Sequence, residues 1–319
     1  MKKVYYEKII SLLMLLATNH SFAETVSIDL TNGNFIGDDA YKVVTSTQAQ
    51  CTQLDNSGIG RTVWVEVNLN GYSYKECIRY YSAGLLESQT NNRAIVYFSG
   101  DVGVIGGAPA SYTSLKPQDM VNKAVTASTE LYNFPYIFVA RPGIYGSSGV
   151  HNGARKPLES LLMSEALNKI NQRHQILNYV LVGHSGGGHI VSALLSKRTD
   201  ILCAVPSSAP SSPKKQAEAL GKTPDPRLFE TVDAITPLTP KHPANRVFVV
   251  GNLNDSIVPW VSQLVLHDKL IQLSWASNII NLQAIDGSHH DVAEKAKKIA
   301  GMCAWGLPTL NFLDQASSL

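Results

Sequence analysis

Residues 178–189 read Asn-Tyr-Val-Leu-Val-Gly-His-Ser-Gly-Gly-Gly-His, and a helical segment follows them. The apolar run at the start is typical of a buried strand. The glycines on both sides of Ser185 favour a turn too tight for larger side chains. Such a turn holds the Ser185 hydroxyl out at the carboxyl end of the strand, above a helix N-terminus that favours developing negative charge. The stretch therefore predicts a strand, a sharp turn and a helix that together present a nucleophilic serine.

Short apolar runs of the same kind recur along the chain and alternate with helical segments. Strands are predicted at 94–98, 136–140, 179–182, 201–205, 246–250 and 279–285, and helices near 117–131, 158–174, 187–198, 260–275 and 291–301. Continuous apolar strands that alternate with helices indicate a parallel sheet covered on both faces. Residues 24–92 are instead rich in β-formers, and Asn70-Gly71 predicts a hairpin there. The predicted fold class is α/β, a mostly parallel sheet with antiparallel N-terminal strands.

The N-terminus has the three parts of a secretory signal. Three lysines lie within the first eight residues, an apolar stretch covers residues 9–17, and Ser21-Phe22-Ala23 places small residues at the cleavage positions. This arrangement predicts a signal peptide over residues 1–23, cut before Glu24. The apolar stretch is far shorter than the ~20 residues that a membrane span needs. We therefore expect no transmembrane span and a periplasmic or secreted protein.

The composition indicates a folded, nearly neutral mature chain. Of 319 residues, 44% are hydrophobic and 16% are charged, which argues against intrinsic disorder. The first 23 residues hold three of the 27 basic side chains and one of the 25 acidic ones, which leaves 24 of each sign. A balanced charge makes nucleic acid an unexpected partner. Residues 24–319 are expected to form one α/β domain, in which the Ser-, Pro- and Lys-rich segment 206–243 forms an excursion or cap near the site.

The four cysteines, Cys51, Cys77, Cys203 and Cys303, all lie in the mature part. An even number of cysteines in an oxidising compartment favours two disulfides, and four cysteines permit three pairings. We favour Cys51–Cys77 and Cys203–Cys303, the first because both residues lie in the short N-terminal β region. No Cys-x-x-Cys pair occurs, which argues against a zinc or redox centre.

A nucleophilic serine needs a base, and the base needs an acid that orients it. In a sheet of this type the acid and the base follow later strands, in the order Ser, Asp or Glu, His. Asp255 follows the predicted strand 246–250, and the pair His289-His290 follows the predicted strand 279–285. Since parallel strands end at the same edge of a sheet, both are expected near Ser185.

These segments resemble the α/β-hydrolase-fold serine hydrolases over roughly residues 93–301. The resemblance also rests on Phe98-Ser99-Gly100-Asp101 after the first core strand, on the glycine-rich turn at 140–149, and on Gly-Asn-Leu-Asn-Asp-Ser-Ile-Val-Pro at 251–259. It implies an oxyanion hole made of backbone N–H groups. One donor is expected from Gly186, directly after the nucleophile, and the other from Gly100 or Asp101.

The doubled histidine permits two alignments with this family. Many members read Gly-x-x-His after the last strand, which selects His290. Others read His-x-Asp followed by an aliphatic residue, which selects His289. The second pattern matches more positions, so His289 is the expected base and His290 the alternative.

The resemblance implies a secreted serine hydrolase that cleaves an ester or amide through an acyl-enzyme intermediate. Esters are favoured over peptides, because many small secreted members of the family hydrolyse esters. The substrate is then a small molecule or a peptide, and neither a cofactor nor a metal is required. Two other functions are compatible with the same sequence motifs. One is a non-catalytic binding protein of this fold, and the other is an acyltransferase that uses the same triad.

Overall fold

A computed structural model describes residues 24–35, 42–86, 88–103, 108–151, 154–222, 232–239 and 246–306. The predicted signal peptide, residues 1–23, lies outside the described residues. Within the described ranges, no helix combines the length and the apolar character needed to cross a membrane.

The fold is built on an eight-stranded sheet with the strand order β11-β10-β9-β8-β5-β6-β4-β3. The strands are β1 (Thr25–Ser27), β2 (Val43–Thr45), β3 (Arg61–Leu69), β4 (Tyr72–Ala83), β5 (Asn91–Phe98), β6 (Tyr136–Val139), β7 (Gly149–Val150), β8 (Ile176–His184), β9 (Ile201–Ser207), β10 (Arg246–Gly251) and β11 (Ala276–Asn281). In this order, the neighbouring strands from β11 through β5 to β6 are all parallel, whereas the pairs β3–β4 and β4–β6 are antiparallel. The predicted fold class is therefore confirmed. Strands β1, β2 and β7 form a separate small sheet.

Helices lie on both faces of the large sheet. They are α1 (Gln48–Asn56), α2 (Ala110–Thr113), α3 (Pro117–Glu130), α4 (Pro157–His174), α5 (Gly186–Leu194), α6 (Pro213–Ala219), α7 (Trp260–Gln272) and α8 (Ala293–Trp305). Side chains of α3 and α8 pack on one face, and those of α4, α5 and α7 pack on the other. Along β8, Val180 and Val182 belong to the first core, and Tyr179 and Leu181 to the second. Burial of an apolar side chain of this kind stabilises the folded state by about 1.5–3 kcal/mol. Because both faces of these strands are buried, their sequences are uninterrupted apolar runs.

The predicted hairpin joins β3 and β4. Asn70 and Gly71 have φ angles of 53° and 84°, and Leu69 pairs with Tyr72 on either side of the turn. Two consecutive positive φ angles are the requirement of the two-residue turn that Asn-Gly favours. The hairpin prediction is therefore confirmed.

Helix α1 lies in the region that the sequence analysis treated as β-rich. Its start is a capping box: the Gln50 N–H donates to Thr47 Oγ1 at 3.2 Å, and the Thr47 N–H donates to Gln50 Oε1 at 2.8 Å. Only Cys51 and Leu54 of its nine residues are buried. The apolar period of this helix is therefore weak, and its Thr-x-x-Gln cap is the sequence signal that marks it.

The last strand begins earlier than predicted. The sequence placed it at 279–285, whereas β11 covers Ala276–Asn281 and Ile285 is exposed. The polar start is accommodated because the Ser277 hydroxyl bonds to His267 Nδ1 at 2.9 Å. An edge strand such as β11 tolerates polar residues better than a central one, so apolar content misplaced its start.

The excursion was predicted over residues 206–243, but the first two of these residues still belong to the sheet. Pro206 and Ser207 still belong to β9, where Ser207 pairs with residues of β8 and β10. The chain then leaves the sheet, and residues 223–231 and 240–245 lie outside the described part. In the described part, the Val232 carbonyl meets His189 Nε2 at 2.8 Å, so this segment packs against α5 beside the nucleophile turn.

Both predicted disulfides are present. Cys51–Cys77 joins α1 to β4 with Cα atoms 5.5 Å apart, and Cys203–Cys303 joins β9 to α8 with Cα atoms 6.6 Å apart. The first pairing is right although its reason is not, because Cys51 lies on a helix rather than in a β region.

We expect no free thiol in protein prepared from an oxidising compartment. The bridges close chain separations of 26 and 100 residues, for which the entropy model gives roughly 3–5 kcal/mol each. Reduction should therefore lower the denaturant midpoint strongly. Thiol titration under denaturing, non-reducing conditions counts the thiols, and four titratable thiols would contradict both bridges.

Candidate active site

Ser185 lies between β8 and α5 in a strained backbone conformation, with φ 53° and ψ −119°. Its N–H donates to the Ser207 carbonyl oxygen at 2.9 Å, which ties the turn to β9. The side chain makes no capping hydrogen bond to α5 and is half-buried. The hydroxyl is thus held at the carboxyl edge of the sheet without being used to cap the helix that follows.

Close backbone approach explains the glycines around this serine. A side chain at Gly183 would collide with the carbonyl group of Gly187, and a side chain at Gly187 would collide with the carbonyl oxygens of Phe98 and Ser99. The turn therefore packs directly on the end of β5, and larger residues at either position would displace it.

Asp255 lies in the loop after β10 and is 5% exposed. Its Oδ1 accepts hydrogen bonds from the backbone N–H groups of Ile257 at 2.9 Å and Val258 at 2.8 Å. Gln263 Nε2 donates to Oδ2 at 3.3 Å. Three donors therefore hold the carboxylate in one orientation, as an acid that aligns an imidazole requires.

The side chain that meets Asp255 is His290, so the expectation that His289 does so is wrong. His290 Nδ1 lies 2.9 Å from Asp255 Oδ2 and 3.1 Å from Oδ1. His289 is exposed and has a φ of 58°. Because consecutive residues of this turn point their side chains in different directions, only one of the two histidines can face Asp255.

Asp286 decides which histidine faces inward. Its Oδ1 accepts hydrogen bonds from the N–H groups of His290 at 2.9 Å and Asp291 at 2.7 Å, and its Oδ2 accepts one from the Ser288 hydroxyl. Burial would raise the pKa of Asp286, but these hydrogen bonds lower it to about 2. The carboxylate thus closes the turn 286–291, and the sequence analysis missed this function although Asp-Gly-Ser is a turn signal.

The His290 ring also lies next to the nucleophile turn. Its centroid is 4.8 Å from that of His184, the residue directly before Ser185. The Ser208 hydroxyl donates to the His290 carbonyl oxygen at 2.7 Å. With Nδ1 directed at Asp255, Nε2 is the ring nitrogen left to accept a proton.

The predicted oxyanion residues meet at the same place. A Cβ atom at Gly100 would lie 3.4 Å from the Ser185 Cβ, and a side chain at Gly186 would collide with the Asp101 carboxylate. The oxyanion segment, residues 99–101, therefore lies directly against the nucleophile turn. The backbone N–H group of Gly186 and that of Gly100 or Asp101 are the candidate donors for a developing oxyanion.

No family model and no curated protein matches the chain. Among solved structures it is similar to Est1E from Butyrivibrio proteoclasticus with ferulic acid bound, with a TM-score of 0.51 and 12% identity over 76% of this chain and 98% of that one. The chain has the α/β-hydrolase fold. It is also similar to the esterase Pf2001 of Pyrococcus furiosus, with a TM-score of 0.48 and 12% identity over 85% of this chain and 96% of that one. A third similar structure is the acylaminoacyl peptidase of Pyrococcus horikoshii, with a TM-score of 0.45 and 12% identity over 81% of this chain and 42% of that one.

Within the described part of this α/β-hydrolase chain, no group of three or more His, Cys, Asp and Glu side chains is placed to hold a metal ion. A cavity of about 950 Å³ lies between α3 and α8. Ser99 and Tyr145 contribute to its lining, whereas Ser185, Asp255 and His290 do not. The cavity therefore adjoins the oxyanion segment without containing the residues at the nucleophile turn.

Arg141 is a further residue at this site that the sequence did not predict. It was expected only as part of the glycine-rich turn at 140–149, yet its side chain is fully buried and ion-paired with Asp101 at 2.8 Å and with Glu159 at 2.7 Å. A charged residue placed directly after an apolar strand is the signal that could have identified it, because buried arginines require partners.

Three histidines near the nucleophile turn have desolvated rings. Burial lowers the pKa values of His151, His184 and His189 to about 4 each, against an ordinary value of 6.5. A lowered pKa in the folded state means that the unfolded chain binds more protons between these two values. The free energy of unfolding should therefore fall as the pH drops from 6.5 towards 4.

We expect acidification to destabilise the protein by up to about 1.4 kcal/mol per pH unit for each of these three histidines. Denaturant unfolding at a series of pH values between 7.5 and 4.5 measures the slope. In His189→Gln the free energy of unfolding should fall less steeply with pH, by up to the contribution of one proton, about 1.4 kcal/mol per pH unit. The glutamine amide can still donate to the Val232 carbonyl but does not titrate. A free energy of unfolding that stays constant over this range would contradict the prediction.

Proposed function

We propose that the protein is a secreted serine hydrolase that cleaves an ester bond. Ser185 is the nucleophile, His290 the general base and Asp255 the acid that orients it. The observation that carries the proposal is the contact of His290 Nδ1 with the Asp255 carboxylate at 2.9 and 3.1 Å, beside a strained serine turn. The two disulfides and the signal-like N-terminus support secretion or a periplasmic location.

In the proposed reaction, the Ser185 oxygen attacks the carbonyl carbon while His290 Nε2 takes the hydroxyl proton. Asp255 holds the imidazole with its other proton on Nδ1 and stabilises the charged ring. The N–H group of Gly186 and that of Gly100 or Asp101 stabilise the oxyanion. Collapse of the tetrahedral intermediate breaks the ester bond, and His290 gives its proton to the leaving alcohol. Water then cleaves the acyl-enzyme by the same steps.

A fluorophosphonate probe tests the assignment, because it reacts covalently with an activated serine. We expect labelling of the wild-type chain, mapped by peptide mass spectrometry to the peptide containing Ser185. An unlabelled, folded wild-type chain would overturn the proposal and favour a non-catalytic binding protein.

A substrate panel then defines the reaction. It should contain p-nitrophenyl esters graded by acyl chain length, a feruloyl ester suggested by the ligand of Est1E, and the matching amides. We expect turnover of esters to exceed that of amides. Product analysis with and without an added alcohol separates hydrolysis from acyl transfer, and a product that forms only with the alcohol would identify a transferase.

A further inference from the structure

Arg141 connects the oxyanion segment to the rest of the fold. Its Nη1 donates to Asp101 Oδ1 at 2.8 Å and to the Ser99 carbonyl oxygen at 3.2 Å. Its Nε donates to Glu159 Oε1 at 2.7 Å, in the first turn of α4. One rigid guanidinium therefore holds two points of the oxyanion segment at a fixed distance from a helix.

A second arginine closes a ring of contacts around these charges. Arg155 Nη2 lies 3.0 Å from Asp101 Oδ2, and the Arg155 N–H donates to Glu159 Oε2 at 2.5 Å. The charged ring, defined as Asp101, Arg141, Arg155 and Glu159, has two charges of each sign. Burial would raise the pKa of Asp101, but the two arginines hold it well below its usual range, so this carboxylate stays ionised.

The charged ring touches the residue that follows the nucleophile. A Cβ atom at Gly186 would collide with the Asp101 carboxylate and would lie 2.8 Å from Arg141 Nη1. One candidate oxyanion donor, the Gly186 N–H, thus belongs to a residue in contact with this ring, and the other, that of Gly100 or Asp101, lies in the segment that Arg141 bonds at Ser99 and at Asp101. Their separation depends on where Arg141 holds Asp101.

The same contact creates an electrostatic requirement. A carboxylate beside an oxyanion hole opposes the negative charge that develops there, and the opposition is strong in a buried site. Arg141 forms an ion pair with one carboxylate oxygen of Asp101, and Arg155 forms an ion pair with the other. Compensation by these arginines is therefore necessary if the Asp101 backbone is to serve as a donor.

We propose that Arg141 is a positioning residue for the oxyanion hole, which holds the oxyanion segment against the nucleophile turn and, with Arg155, neutralises the Asp101 carboxylate. This inference rests on the proposed function, because it assigns Arg141 to the acylation step of that reaction. Arg141 itself does not touch the substrate; it acts through Asp101.

The experiment compares Arg141→Lys with Arg198→Lys. Arg198 is a matched control: it is 9% exposed, pairs with Asp200 and bonds the Ser164 carbonyl oxygen at 2.8 Å, but lies before β9 at the opposite edge of the sheet. Two quantities are measured for each variant and the wild type: the rate of fluorophosphonate labelling at Ser185, and kcat and KM for p-nitrophenyl acetate. Thermal unfolding reports whether each variant is folded.

In Arg141→Lys we expect labelling and kcat to fall by about 10- to 100-fold, because loss of a whole oxyanion donor costs about 10²–10³ in kcat. KM should change little, and the acid limb of the pH–rate profile should stay where it is, since the His290–Asp255 pair is untouched. Arg198→Lys should keep wild-type rates even if its unfolding temperature drops.

The outcomes separate this inference from the proposed function. A wild-type chain that is never labelled overturns the proposed function and the inference with it. A labelled wild type with equal rates in Arg141→Lys overturns the inference alone, as does an equal loss of rate in both lysine variants. If Arg141→Lys does not fold, Arg155→Gln carries the test. Arg155 is partly exposed, and its variant should be labelled about 3- to 10-fold more slowly because Asp101 is then less compensated; an unchanged rate there overturns the inference.

Discussion

Replacement of Ser185 by alanine should abolish ester hydrolysis while the fold survives. The expected loss in kcat is about 10⁶-fold, the effect that removal of a triad nucleophile has in a well-studied protease. The fold should survive because the side chain caps no helix, and because the N–H of residue 185 still bonds to the Ser207 carbonyl oxygen. Hydrolysis rates and circular dichroism of the purified variant measure the two parts of this prediction.

Ser196→Ala is the matched control for that experiment. Ser196 follows α5, and its hydroxyl bonds only the Ala193 carbonyl oxygen, at 3.1 Å, among the described contacts. This control should keep wild-type turnover. If Ser185→Ala hydrolyses every tested ester as fast as the wild type does, Ser185 is not the nucleophile.

The two adjacent histidines should differ by several orders of magnitude. His290→Ala removes the only imidazole placed against Asp255 in the described part of the chain, so kcat should fall by about 10⁶-fold, as removal of the histidine does in the same protease. His289→Ala should stay within a few fold of the wild type, because that side chain is exposed and the turn is held by Asp286.

The pH–rate profile provides a second measurement on this pair. The acid limb that reports protonation of the base should remain in His289→Ala, whereas the residual activity of His290→Ala should lack it. A dead His289→Ala beside an active His290→Ala would reverse the assignment and support the longer His-x-Asp alignment.

Much of the sheet could be predicted because its causes are local. Strands buried on both faces have continuous apolar runs, and the five predicted from 94–98 to 246–250 all lie within or largely within observed strands. The errors fall where apolar content is a poor guide. Helix α1 buries only two residues. Strand β11 lies at an edge of the sheet, and its polar Ser277 is held by a hydrogen bond with His267.

The amino-acid sequence by itself determined the strand–turn–helix around Ser185 and the two strand ends that bring Asp255 and the pair His289-His290 towards it. These follow from glycines that only a tight turn requires and from strand ends that meet at one edge of a parallel sheet. Tertiary structure alone decided that His290 and not His289 faces Asp255, and that Arg141 holds the oxyanion segment. The first depends on a contact between residues 35 positions apart and on a turn closed by the Asp286 carboxylate, and the second on a contact between residues 40 positions apart. The two local patterns at this turn, Gly-x-x-His and His-x-Asp, select different histidines, so the choice between them needed the contact with Asp255.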